Sequence, residues 1–136
     1  MGSLDDLKIL DFSTLLPGPY ATLMLADMGA EVLKISSASR PDIVLDYPPF
    51  IGDTGVSASQ AWLGRNKKTM FLNLKTGEGK AVVKELVKEY DIVLEQFRPG
   101  VMDKLGLGYE DLKAVNPKLI YCSLTGYGQT GPLRDA

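Results

Sequence analysis

The stretch LKILDFSTLLPGPYATLMLADMGAEVLKI, Leu7 to Ile35, decides the fold. Lys8 to Ser13 (KILDFS) is short and apolar, as a buried strand is. Pro19 suits a first helical turn. From there Ala21, Leu23, Met24, Leu25 and Met28 form a helix that is apolar nearly all round and therefore expected to be buried. Gly29 offers a left-handed C-cap, and Glu31 to Ile35 (EVLKI) is a second strand. Strand, helix and strand in this order make a βαβ unit, which predicts a parallel sheet with right-handed crossovers.

The same rhythm continues after one interruption. Residues 36–64 are rich in Ser, Pro, Asp and Gly, with Pro48-Pro49 and Gly52-Asp53-Thr54-Gly55. So long a connection is often functional. Ser57 to Leu63 reads as a short helix within it. Thr69 to Leu74 (TMFLNL) is a third strand, and Thr76 is an N-cap for a helix reaching about Tyr90. In that helix Val82, Val83, Leu86, Val87 and Tyr90 share one face, while Lys80, Lys84 and Lys88 form a solvated one. Asp91 to Gln96 is a fourth strand, closed by the turn Phe97-Arg98-Pro99-Gly100. Short helices follow over Val101 to Leu105 and Glu110 to Val115. Leu119 to Thr125 is a fifth strand, which runs into the glycine-rich loop Gly126 to Pro132.

Composition bounds the chemistry. The chain has 136 residues, 45% hydrophobic and 24% charged, with net charge −2. That balance supports a folded core and argues against general nucleic-acid binding. No apolar run approaches the roughly 20 residues of a membrane span, and no signal peptide is visible. Met1-Gly2-Ser3 is set aside from the fold reading as an expression remnant. One cysteine excludes an internal disulfide and a Cys-rich zinc site. With no histidine, the chain holds no Ser–His or Cys–His pair. Cys122, inside the apolar run LIYCSL, reads as a buried structural thiol.

In open α/β sheets, ligands sit beyond the C-terminal ends of the strands. Four segments are expected there: Thr14 to Pro19, the loop after Ile35, Phe97 to Gly100, and Gly126 to Pro132. None carries a dinucleotide fingerprint or a P-loop. Arg65-Asn66-Lys67-Lys68 is either a solvated turn or a phosphate contact. Arg98, at a strand end, is better placed to meet an anion. Trp62 and Phe50 either cover a ligand ring or plug the long loop onto the core. Asp11, Asp53, Glu95 and Asp135 have no acid–base partner in sequence, so no catalytic role is assigned to them. A parallel strand normally receives a covering helix, and the last strand here leads only into a loop. The chain is therefore expected to be a piece of a longer protein.

The ordered motifs resemble the family III CoA-transferases, which include formyl-CoA transferase, carnitine CoA-transferase and α-methylacyl-CoA racemase. The stretches carrying the resemblance are Leu7 to Ile35, Asn66 to Lys80 (NKKTMFLNLKTGEGK) and Asp91 to Pro132. The resemblance implies a Rossmann-like parallel sheet with flanking helices. Residues 1–136 would be the N-terminal part of a CoA-binding large domain. It implies an interlocked homodimer in the cytoplasm, without nucleic-acid or membrane partners. No tightly bound cofactor or metal is expected. Coenzyme A or acyl-CoA is the substrate, and a carboxylic acid is the acceptor. An aspartate would attack the thioester and pass through an anhydride to an aspartyl-CoA thioester. That aspartate lies in a Gly-Asp motif expected beyond Ala136, so the chain carries no catalytic residue and is expected to be inactive alone.

Binding residues carry over one by one. Leu15 and Leu16 match the turn that touches the CoA adenosine. Leu72 and Lys75 match positions beside the adenine and phosphates. Gln96 and Phe97 match contacts to the pantetheine or diphosphate. Arg98 matches the arginine of the R-P-G turn, and Lys104 a basic residue that meets a phosphate. Gly126 to Gly128 match the loop beside the thioester. Where many relatives have Glu and Arg after the second strand, this chain has Ser36 and Ser37, with Arg40 a substitute. Two other readings stand beside the transferase: a 2-methylacyl-CoA racemase and a non-catalytic CoA- or nucleotide-binding module. The long loop with Pro48-Pro49-Phe50 favours the transferase over the racemase.

Overall fold

The computed structural model describes residues 2–136. Five strands form one parallel sheet: β1 (Lys8–Asp11), β2 (Glu31–Ser36), β3 (Lys67–Phe71), β4 (Ile92–Glu95) and β5 (Ile120–Ser123). Their order is β3-β2-β1-β4-β5. This is the doubly wound order, in which the chain reverses direction across the sheet between β1 and β4. The helices are α1 (Pro17–Asp27), α2 (Ala58–Leu63), α3 (Gly77–Val87), α4 (Val101–Leu105) and α5 (Tyr109–Lys113). Among the described residues, no helix is long and apolar enough to cross a membrane.

Strand alternation sends side chains to two cores. Leu10, Leu33 and Val93 face one side, with Val83 and Val87 of α3, Met102 of α4 and Leu112 of α5. Ile9 and Val32 face the other, with Ala26 of α1 and Ala30. Central strands buried on both sides explain the near-continuous apolar runs in β1 and β2.

Helix α1 departs from expectation twice. It starts at Pro17 rather than Pro19, with prolines in the first turn where no intrahelical donor is needed. It is also not buried all round. Tyr20, Met24 and Met28 are 44%, 51% and 42% exposed. Their spacing places them on the stripe facing away from the sheet, whereas Thr22, Leu23 and Ala26 face inward. Gly18 is where α1 meets the end of β1: a Cβ there would overlap the Ser13 side chain.

Other boundaries shift modestly. β3 begins at Lys67, not Thr69, because ladder pairing with Val32–Ser36 recruits both lysines. Helix α3 ends at Val87, with Thr76 Oγ1 accepting the Gly79 N–H as its cap. The stretch 36–64 is less irregular than expected. It holds a 3-10 turn, Ile43–Asp46, and α2, capped by Ser57.

Cys122 contradicts its reading as a buried thiol: it is exposed. β5 is an edge strand whose positions alternate in exposure, and Cys122 shares the open face with Ile120, itself 59% exposed. An apolar run at a sheet edge is covered on only one side, which the sequence pattern does not distinguish from a central strand.

Candidate functional site

Two cavities adjoin the C-terminal strand ends, on either side of the β1–β4 switch point. The larger, about 550 Å³, lies among the loops after β1, β2 and β3. Leu15, Leu72 and Phe97 give it apolar walls, and Arg40 and Lys75 give it cations. The smaller, about 350 Å³, lies between the loops after β4 and β5. Gln96, Arg98, Gly126, Tyr127 and Arg134 line it. Phe97 lines both, so this residue is the partition between them. All four segments expected at this edge are therefore present, and Leu72–Lys75 joins them.

Of the sequence-derived contact residues, Leu15, Leu72, Lys75 and Phe97 meet at the larger cavity, and Gln96, Phe97 and Arg98 at the smaller. Leu16 and Lys104 line neither. Leu16 is the N-cap residue of α1, and Lys104 is an exposed side chain in the last turn of α4. The serines that replace the familiar Glu and Arg, Ser36 and Ser37, line the larger cavity beside Arg40. Gln96 is only half available to a ligand. Its Oε1 accepts the Gly18 N–H at 3.0 Å, which leaves its amide NH₂.

In the cluster at residues 65–68, Arg65, Asn66 and Lys68 are exposed, as a solvated turn predicts, but each has an acidic partner, and Lys67 does not share their exposure. Arg65 pairs with Asp27, and Asn66 donates to the same carboxylate. The Arg65 hydrogen bond holds the Asp27 carboxyl below its ordinary range. Lys68 reaches Glu31 at 3.4 Å. Lys67 turns inward: its Nζ donates to Pro19 O at 2.6 Å and Thr22 Oγ1 at 2.8 Å. Burial lowers its pKa from 10.5 to about 8, with the Asp11 carboxylate opposing that shift from 3.7 Å. Trp62 lines neither of the two cavities and does not plug the core. It remains 46% exposed and packs its ring against Tyr20 at 5.7 Å.

The sequence reading missed a polar network beneath the cavities. Asp11, fully buried, accepts from Thr22 Oγ1 at 2.5 Å and from the Ser13 N–H at 2.8 Å, and also pairs with the Ser13 hydroxyl. Lys34 Nζ donates to Ser13 O at 3.0 Å and to Asp42 Oδ2 at 3.3 Å. Glu95 accepts from Ser123 Oγ at 2.6 Å and from the Phe97 N–H at 2.8 Å, fixing the backbone that carries the partition. The visible signal was Lys34 itself. A lysine inside a strand buried on both faces requires a buried partner. Each of these carboxylates is held by hydrogen bonds from within the fold. Among the described residues, no cluster of His, Cys, Asp and Glu could hold a metal.

Chemically, the edge offers an elongated, divided cleft with apolar walls and a guanidinium or ammonium in each half. Such a lining suits a ligand that carries both apolar and anionic groups. Comparison with known proteins gives this a family. The sequence pattern of CoA-transferase family III matches residues 4–136. The chain belongs to CoA-transferase family III.

Among its family III relatives, the acetyl-CoA:oxalate CoA-transferase of Acetobacter aceti is 42% identical over 132 residues, covering 97% of this chain and 33% of that protein. The human succinyl-CoA:glutarate CoA-transferase is 43% identical over 131 residues, covering 96% of this chain and 30% of that protein. A solved CAIB/BAIF family protein from Brucella suis superposes with a TM-score of 0.91 at 41% identity, covering 98% of this chain and 36% of that one. The chain thus spans about a third of the length of the family III relatives it matches.

Proposed function

We propose that this chain is the coenzyme A-binding portion of an enzyme that moves CoA between carboxylic acids. The observation that carries the reading is the pair of cavities joined at Phe97 along one sheet edge. The larger would take the adenosine, with Leu15 and Leu72 against the base and Lys75 and Arg40 toward phosphates. The smaller would take the pantetheine arm and the thioester, between the Arg98 turn and Gly126.

The reaction would use a nucleophilic aspartate outside residues 1–136. Its carboxylate oxygen attacks the thioester carbonyl, a C–O bond forms, the C–S bond breaks, and CoA leaves as thiolate. The thiolate then attacks the aspartyl carbonyl, releasing the first carboxylate and leaving CoA on the enzyme as a thioester. The acceptor carboxylate repeats the two steps in reverse and departs as its CoA thioester. Binding energy from the remote nucleotide would be used to orient the thioester. By this reading the chain alone transfers no CoA. The whole enzyme would be a cytoplasmic homodimer.

The transferase reading is preferred to the racemase because the relatives cited above are CoA-transferases acting on oxalate and on glutarate, by their names. Dicarboxylates are accordingly the acceptor class to screen first. Calorimetric titration of the chain with CoA tests the reading. Binding that is weakened about tenfold or more in Arg98→Ala, and little in Lys104→Ala, supports it. No binding by the unaltered chain overturns it.

A further inference from the structure

Among the described residues, Leu15 is one of two non-glycine residues with positive φ, at 62°. A leucine held in the left-handed region persists only where its surroundings fix it. Here the fixing group is identifiable. Both carboxylate oxygens of Asp42 accept the Leu15 N–H, at 3.1 and 3.0 Å. Asp42 is held in turn by Lys34, whose ammonium also donates to Ser13 O. The two charged side chains are only 7% and 3% exposed. The β1–α1 loop is thus gripped at two points, the Ser13 carbonyl and the Leu15 amide, by one buried ion pair. Leu15 and Asp42 both line the larger cavity.

We infer that Asp42, oriented by Lys34, is the positioning residue that sets the Leu15 turn in its nucleotide-binding shape. The inference rests on the proposed CoA reading for its consequence, though not for the clamp itself. Asp42 need not touch the ligand. It holds the residue that would otherwise relax to negative φ and move its side chain in the cavity wall.

Removing Asp42 alone would leave Lys34 buried without its counter-charge, which confuses positioning with folding. Two double variants separate them. Lys34→Met with Asp42→Asn removes both charges and keeps an amide oxygen for the Leu15 N–H. Lys34→Met with Asp42→Ala removes the charges and the acceptor together. Amide hydrogen exchange at Leu15 reads the clamp directly, and CoA titration reads its consequence, with circular dichroism confirming that both variants fold. The expected result is Leu15 protection retained in the Asn variant and lost in the Ala variant, with CoA bound about tenfold more weakly by the latter. Equal Leu15 exchange in the two variants overturns the clamp. Equal CoA affinity despite different exchange overturns the positioning role. If the unaltered chain binds no CoA, the functional reading and the positioning role both fall, and the exchange result still decides the clamp.

Discussion

Gln96 Oε1 accepts the backbone N–H of Gly18 at 3.0 Å. The bond crosses the switch point of the sheet, joining the end of β4 to the first turn of α1. An N–H in the first turn of a helix has no intrahelical partner, so this side chain supplies one. It also fixes the spacing between the two strand-end loops that frame the smaller cavity. Gln96→Leu leaves the Gly18 N–H without its acceptor and is expected to destabilise the chain by about 1–2 kcal/mol. Gln96→Glu keeps an acceptor, with a charge favourable at a helix N-terminus, and should lose little. Urea midpoints measure both. Equal losses would show that the amide bond is incidental.

The neighbouring contact is steric. Gly18 packs onto buried Ser13, whose hydroxyl is committed to Asp11, so neither can yield easily. Gly18→Ala should therefore destabilise by about 1–3 kcal/mol. Gly77→Ala is the control. It lies at the start of α3, nothing stands within 4 Å of a Cβ built there, and alanine is the better helix former. Thermal denaturation should order the three as Gly77→Ala at or above the parent, with Gly18→Ala below. A harmless Gly18→Ala would mean that the β1–α1 contact is looser than the geometry states.

The edge strand makes a prediction about reactivity. Cys122 is exposed on the same open face as Ile120. A thiol reagent should label it in the native chain about as fast as in urea-unfolded chain, apart from solvent effects on the reagent. Labelling only after unfolding would place Cys122 under a cover that the structure does not show.

The strands and helices were legible because their signals are local: apolar runs, a capping threonine at Thr76, and glycine or proline at each break. The strand-end loops were legible because topology dictates where they gather. What escaped was side-chain traffic between distant segments. Asp42 meets Leu15 across 27 residues of sequence, and Lys67 meets Pro19 across 48. Nothing local distinguishes Lys67, which is buried, from Lys68, which is exposed. Only the pairing of β3 beside β2 turns one inward. The exposure of Met24, Met28 and Cys122 escaped for a related reason. Apolar composition records that a face is greasy, not whether another element lies on it.

That inward lysine gives the stability a pH dependence. Lys67 is charged at neutral pH, and burial brings its folded pKa down to about 8 from an ordinary value of 10.5. Between those values the unfolded chain holds a proton that the folded chain has released. The unfolded state then binds more protons, so stability rises with pH, by at most about 1.4 kcal/mol per pH unit for one group. Tyr90 sets the upper limit of the window. Burial and its hydrogen bond to Glu31 push the phenol up to about 12 from 10, so above pH 10 folding forfeits an ionisation that the unfolded chain makes. The gain from Lys67 should therefore show between about pH 8 and about pH 10 and fade beyond. Lys67→Met removes the buried charge and leaves Asp11 its Ser13 and Thr22 donors. The variant should lose the rise in urea midpoint across that window. A parent curve that is flat from about pH 8 to about pH 10, or a variant that keeps the same slope, would assign the effect elsewhere.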